Sequence, residues 1–199
     1  IQHPGKLVAG EMFVDGSPVD LLNEENFRKM RATKLSLIPQ GAMNSLNPTM
    51  TIGSQIRDVF TTHDTTLKSF ELSKRIEELL RKVGLPQRIL KMFPHELSGG
   101  MKQRFGIAQA LIGDPKLIIV DEPTAGLDPT ERNRFHNLLS EIGENVIVIL
   151  STHIVEDVSD LCGNMAIIKD GQVKVVGEPQ ALIKELTTQV WTGLVEKKD

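Results

Sequence analysis

The chain has 199 residues, of which 40% are hydrophobic and 25% charged, an ordinary globular composition that provides material for one core. The formal net charge of -3 shows none of the basic excess typical of nucleic-acid binders, so no nucleic acid is expected as a partner. The single cysteine, Cys162, excludes an intramolecular disulfide and a cysteine-based zinc site and is typical of a reducing cytosol. No run reaches the roughly 18 apolar residues of a membrane-spanning helix, so a membrane link would require a partner.

The first elements predicted are short. Residues 11–14 form a β-like run closed by Asp15-Gly16, a pair typical of a tight turn, and we expect an edge hairpin there. A polar helix is predicted over residues 24–31. A short strand over residues 35–38 follows, and it places Gln40 where the strand passes into a loop.

A helical block is predicted next. Apolar residues lie on one stripe of a helix over residues 55–83, which should stop at Gly84, and a second helix should run from residue 98 to residue 111. The block, over residues 54–112, is expected to be an inserted helical subdomain. The stripe consists of Leu72, Ile76, Leu79, Leu80 and Val83.

Two unalternating apolar runs, residues 117–120 and 146–150, predict parallel strands covered on both faces. A helix over residues 129–142 should connect them as a right-handed βαβ unit. A further helix and a hairpin with Asp170-Gly171 at its turn complete a core portion over residues 113–178. The fold class expected is α/β.

Asp121 and Glu122 follow the first apolar run at its carboxyl end, where open α/β sheets bind ligands. In a nucleotide-phosphate site the first carboxylate can hold Mg²⁺ and the second can orient the attacking water. An Asp-Glu pair that only caps the next turn is about equally probable on these two residues alone.

Ser98, Gly99 and Gly100 open the second helix, and a helix start presents backbone N–H groups to an anion. These three residues by themselves would more often be a simple N-cap after a flexible turn. Neither this feature nor the carboxylate pair is decisive alone.

Five stretches together resemble the ATP-binding domain of ABC transporters. Residues 97–104 resemble the signature motif, residues 117–122 the Walker B strand and residues 125–128 the D-loop. Residues 151–153 resemble the switch-histidine loop, and Gln40 the glutamine of the Q-loop. All five occur in the family's order, which makes coincidence negligible.

The resemblance implies a three-layer P-loop NTPase-like (RecA-like) core with an inserted α-helical subdomain, acting on ATP with Mg²⁺. It implies as partners a second ABC ATPase subunit and transmembrane permease subunits, and a location at the cytoplasmic face of the plasma membrane. The implied site residues are Glu122 and His153 for catalysis, Asp121 and Gln40 for the metal, and Gln40, Ser98, Gly99, Gly100, Gln103 and Asp128 for the nucleotide. Of these, Ser98, Gly99, Gly100 and Asp128 would act across a dimer.

A phosphate loop of the form Gly-x-x-x-x-Gly-Lys-Ser/Thr does not occur in the 199 residues, and Gly5-Lys6 lacks the required neighbours. We therefore expect an N-terminally truncated, partial ABC ATPase domain that hydrolyses ATP in the intact dimer. The isolated chain is expected to bind MgATP weakly or not at all and to be inactive. The alternative is a non-enzymatic half-site subunit that donates its signature motif to an intact partner.

The subfamily signal is divided. Residues 35–56 resemble the ATPase subunits of dipeptide and oligopeptide importers, whereas the chain from Phe105 onward resembles multidrug or antibiotic exporter-type ATPases. A fusion near the signature motif is one hypothesis. Peptide import and drug-type export both stay open at this point.

Overall fold

A computed structural model describes residues 10–14, 16–19, 30, 34–40, 46–63 and 68–186. The helix predicted over residues 24–31 lies outside this description except for residue 30, which is helical, and the end of the chain beyond residue 186 lies outside it as well. The described strands form an antiparallel hairpin, a three-stranded parallel sheet and a second antiparallel hairpin.

The first hairpin pairs β1 (Met12–Val14) with β2 (Ser17–Val19), with Gly16 at φ 70° in the turn. This positive φ is one that glycine adopts without steric penalty. The predicted hairpin is confirmed, and it forms a two-stranded sheet of its own among the described residues.

The parallel sheet contains β3 (Leu35–Ile38), β4 (Leu117–Asp121) and β5 (Ile147–Ser151), in the spatial order β3-β4-β5. The register sets Ile38 beside Val120. It also sets Asp121 beside Ser151. All three strands therefore end at the same edge of the sheet, and the predicted α/β class is confirmed.

The helical block contains α1 (Ile52–His63), α2 (Ser69–Lys82) and α3 (Gly99–Leu111). The prediction of one helix over residues 55–83 is wrong, because α1 ends at His63 and α2 begins at Ser69. Four threonines between residues 61 and 66 lower helix propensity, since a β-branched side chain loses rotamer freedom in a helix. The predicted stop is confirmed: Gly84 lies at φ 64° and its N–H donates to the carbonyl of Arg81 at 3.0 Å.

One hydrophobic cluster joins the helical block to the sheet. Ile38 and Val120 from the strands are buried in the same cluster as Ile56 and Phe105 from the helices. Phe135 joins it from α4 (Pro129–Gly143), the helix that connects β4 to β5. The subdomain limits 54–112 and 113–178 stay predictions.

The prediction that both faces of the two apolar strands are covered is wrong for β5. Val148 and Leu150 pack against the cluster, but Ile147 and Ile149 on the opposite face are 67% and 50% exposed. Among the described residues, α4 covers only one side of this strand. An apolar strand face therefore lies open to solvent.

The remaining elements are α5 (Val155–Leu161), β6 (Met165–Lys169), β7 (Gln172–Gly177) and α6 (Pro179–Leu186). Asp170 and Gly171 connect β6 to β7 with φ of 54° and 70°, the positive values that a two-residue hairpin turn requires. The predicted second hairpin is confirmed. None of the helices in the described ranges combines the length and the apolar character needed to cross a membrane.

Candidate functional site

Predicted site residues lie together where the parallel strands end. Gln40 follows β3 by two residues, Asp121 closes β4 and is followed by Glu122, and His153 follows β5 by two residues. Because the strands are parallel and adjacent, their carboxyl ends bring these side chains to one edge of the sheet.

The Glu122 carboxylate contacts both Gln40 and His153. Gln40 Nε2 donates to Glu122 Oε2 at 2.5 Å, and His153 Nδ1 lies 3.0 Å from Glu122 Oε1. The His153 side chain is 70% exposed and that of Glu122 is 28% exposed. The three side chains thus form a polar cluster that opens to solvent and is accessible to a ligand.

The backbone of Glu122 is held in an unusual conformation. Its φ is 43°, in the left-handed region that non-glycine residues rarely adopt and that stores strain. Its N–H donates to the carbonyl of Ser151 at 2.9 Å. This hydrogen bond fixes Glu122 to the end of the neighbouring strand and directs its carboxylate across the strand ends.

Asp121 is positioned by the same neighbour. The Ser151 hydroxyl donates to Asp121 Oδ1, and it also lies 3.4 Å from the carbonyl of Val120. Asp121 is half-buried, next to Glu122 in sequence and opposite Ser151 in the sheet. One strand end therefore orients both carboxylates of the predicted pair.

The available donors fit Mg²⁺ brought in with a phosphate ligand. Within the described ranges, no group of three or more His, Cys, Asp or Glu side chains forms a ready-made metal cage. Mg²⁺, however, is usually held by one or two carboxylates together with substrate phosphates and water. The Asp121 carboxylate and the Gln40 amide oxygen are suitable hard ligands for such an ion.

The glycine-rich helix start forms a second cluster. Ser98 is the N-cap of α3, and its Oγ accepts from the Met101 N–H at 3.3 Å. Ser98 and Gly99 are exposed, whereas Gly100 and Gln103 are buried. The role assigned to Gln103 in nucleotide binding stays a prediction, and in this structure its side chain faces the interior.

Asp128 caps the neighbouring helix α4. Its Oδ1 accepts from the N–H of Glu131 at 2.9 Å. Arg104 joins α3 to α4: Nη2 lies 3.2 Å from Glu131 Oε2, and Nε donates to the Gly100 carbonyl at 3.2 Å. Sequence reasoning missed Glu131, because only tertiary packing places its side chain against Gly100 and Arg104.

No hydrogen bond or salt bridge joins the two clusters within the described parts of the chain. The contacts of Ser98 remain within α3 and those of Asp128 within α4, whereas Gln40, Glu122 and His153 contact one another. The described contacts therefore assign these residues to two distinct hydrogen-bonded groups.

Comparison with known proteins gives the family. The model of the family described as "ABC transporter" matches residues 3–125, more than half of the chain. The oligopeptide transport ATP-binding protein OppD of Bacillus subtilis is 36% identical over 178 residues, which cover 87% of this chain and 49% of OppD. The dipeptide transport ATP-binding protein DppD of Escherichia coli K12 is 35% identical over 186 residues, 92% of this chain and 57% of DppD.

Solved structures that resemble this chain belong to the same family. CbiO1 from Clostridium perfringens, part of the ABC transporter complex cbiONQ, superposes with a TM-score of 0.76 at 27% identity, covering 92% of this chain and 74% of that one. A dimer of the ATP-binding cassette MJ0796 bound to ADP and Pi gives a TM-score of 0.75 at 26% identity, covering 86% and 74%. The chain belongs to the ABC transporter family and has its P-loop NTPase fold.

The chain spans about half the length of the curated relatives that it matches. The alignment with DppD includes both the importer-like and the exporter-like stretches, since it extends over 186 residues. The exporter-type resemblance of the second half stays a prediction.

Proposed function

We propose that this chain is an ATP-binding and ATP-hydrolysing subunit of an ABC transporter that imports peptides. The observation that carries the proposal is the Gln40–Glu122–His153 cluster at the ends of three adjacent parallel strands. The names of the relatives support the peptide class, because OppD and DppD are oligopeptide and dipeptide transport proteins.

Each residue of the cluster has a role that its geometry supports. Glu122 would accept a hydrogen bond from the attacking water, and His153 would stabilise charge on the γ-phosphate. Asp121 and Gln40 would hold Mg²⁺, which when bound neutralises charge on the phosphates. These side chains would position the water and the phosphate, as phosphoryl transfer chiefly requires.

The second cluster would act on a nucleotide bound to another subunit. Ser98, Gly99 and Gly100 present a helix start, whose N–H groups favour an anion, and Asp128 lies at the start of the neighbouring helix. Support comes from the absence, among the described residues, of a hydrogen bond between this cluster and Glu122, and from the dimeric state of the MJ0796 cassette. A second ABC ATPase subunit and transmembrane permease subunits, at the cytoplasmic face of the plasma membrane, complete the proposed assembly.

The test is ATP hydrolysis by the reconstituted transporter that contains this subunit. Glu122→Gln keeps the size and the hydrogen-bonding capacity of the side chain but removes its basicity, and we expect a loss of activity of about 10²-fold or more. Glu144→Gln, at an exposed site after α4, is the matched control and should be neutral. Equal activity of the Glu122→Gln and Glu144→Gln transporters would contradict the proposal.

The half-site alternative follows from the exposed helix start at Ser98. In that case the chain would raise hydrolysis by an intact partner subunit, and the increase would survive Glu122→Gln. It would be lost in Ser98→Glu, because a carboxylate at the helix start repels the phosphate. The two substitutions together separate the two functions.

A further inference from the structure

A buried carboxylate contacts the two loops that carry Glu122 and His153. Asp157, in the first turn of α5, is 0% exposed. The Thr124 hydroxyl donates to Asp157 Oδ2, and the Thr152 hydroxyl donates to the same oxygen at 3.1 Å. Thr124 is two residues after Glu122, and Thr152 immediately precedes His153.

The other carboxylate oxygen contacts α4. His136 Nε2 lies 2.9 Å from Asp157 Oδ1, and His136 is itself buried. Its Nδ1 lies 3.8 Å from Asp160 Oδ2, at the surface of α5. We call Asp157, Thr124, Thr152 and His136 the Asp157 network.

A carboxylate removed from water needs hydrogen-bond donors, because burying an unpaired charge costs far more than burying a paired one. Here two of the donors are the Thr124 and Thr152 hydroxyls. Moving either loop away would leave the buried carboxylate short of a donor. The burial of Asp157 therefore resists separation of the two loops.

The hydrogen bonds around the network extend the constraint to the backbone. The Thr152 Oγ1 accepts from the N–H of Ile154 at 3.0 Å, on the far side of His153. The Thr124 carbonyl accepts from the N–H of Leu127 at 3.1 Å, in the turn that leads to Asp128. Each threonine thus bonds Asp157 through its hydroxyl and also accepts a hydrogen bond from a backbone N–H of its own loop.

We propose that Asp157 is a positioning residue that holds the Glu122 loop and the His153 loop in fixed relation through Thr124 and Thr152. It does not contact the ligand; it acts through the two threonines. The inference rests on the proposed function, since it concerns the alignment of Glu122 with His153. Because both threonine hydroxyls donate to the same carboxylate oxygen, a shift of one loop that moves this oxygen also disturbs the hydrogen bond to the other loop.

The test is amide hydrogen exchange of the full chain without nucleotide, read by mass spectrometry with residue-level fragmentation. Thr152→Val removes one donor, and its reporters are the Ala125 and Leu127 amides on the opposite loop. For Thr124→Val the reporter is the exchange rate of the Ile154 amide, on the loop that carries His153. We expect roughly three- to tenfold faster exchange at the opposite loop in each case, the range that loss of one hydrogen bond gives.

The controls separate positioning from general destabilisation. Thr152→Ser and Thr124→Ser keep the hydroxyls and should restore exchange to the wild-type rate. Ser159→Ala removes an exposed hydroxyl from the same helix α5 and should leave both loops unchanged. Among the described residues, this hydroxyl bonds only the Val155 carbonyl, at 3.2 Å.

Two results would overturn the inference. One is an effect confined to the substituted loop, which would show that Asp157 does not couple the loops. The other is equal acceleration at the loops and in the core helix α3, which would show that the threonines contribute only to overall stability. Because no ATP is used, a transporter without ATPase activity would contradict the proposed function and leave this measurement valid.

Discussion

Gly100 is the position where a single methyl group should test the packing between α3 and α4. A Cβ built on Gly100 would lie 2.0 Å from Glu131 Oε2 and 2.6 Å from Glu131 Cδ, closer than real Cβ atoms approach. Gly100→Ala would therefore displace the Glu131 carboxylate by about 1 Å or more. Such a displacement breaks its 3.2 Å contact with Arg104 Nη2.

The size of the effect follows from two opposing terms. The Arg104 and Glu131 side chains are only 16% and 19% exposed, so loss of this charged hydrogen bond should cost about 1.5–3 kcal/mol. Alanine in a helix regains up to about 1 kcal/mol relative to glycine. We expect a net loss of roughly 1–2 kcal/mol in the free energy of unfolding.

Urea unfolding followed by far-ultraviolet circular dichroism measures this loss. With a slope of about 2 kcal/mol per M, the midpoint of Gly100→Ala should fall by roughly 0.5–1 M. In a Glu131→Ala background the obstacle is absent, and Gly100→Ala should be neutral or stabilising. Gly143→Ala, at the end of α4 with no atom within 4 Å of the added Cβ, is the matched control. An unchanged midpoint for Gly100→Ala, or an equal loss in both backgrounds, would refute the reasoning.

Three further predictions concern other parts of the fold. Burial raises the pKa of the Cys162 thiol, and the charge of Asp157 raises it further. At pH 8 iodoacetamide should therefore alkylate Cys162 more slowly in the folded than in the urea-unfolded chain, and equal rates would contradict this. Ile147→Thr with Ile149→Thr should reduce aggregation on the open face of β5 with little loss of stability, and light scattering that shows no decrease would argue against an exposed face. Asp128→Ala should lower stability by about 1 kcal/mol through loss of an N-cap, and urea unfolding at the wild-type midpoint would rule that cap out.

The sequence by itself predicted the α/β class, and it singled out Gln40, Glu122 and His153 as candidate site residues. Apolar runs located β4 and β5, and the end of the first run located Glu122, whereas His153 and Gln40 were identified by resemblance to the ABC family. Adjacent parallel strands end at one edge of the sheet, which is the physical reason that these residues meet there. Gly84 was predicted as a helix end because glycine commonly follows the last turn of a helix, and its φ of 64° is the conformation that favours glycine there.

Only the tertiary structure decided which side chains meet across long separations in the chain. Asp157 has no local feature that marks it as a partner of Thr124, yet it accepts a hydrogen bond from a residue 33 positions away. The same holds for the approach of Glu131 to Gly100 and for the open face of β5. Periodicity and turn chemistry arise from neighbours along the chain, whereas these contacts depend on how α4 and α5 pack against each other, against α3 and against the sheet.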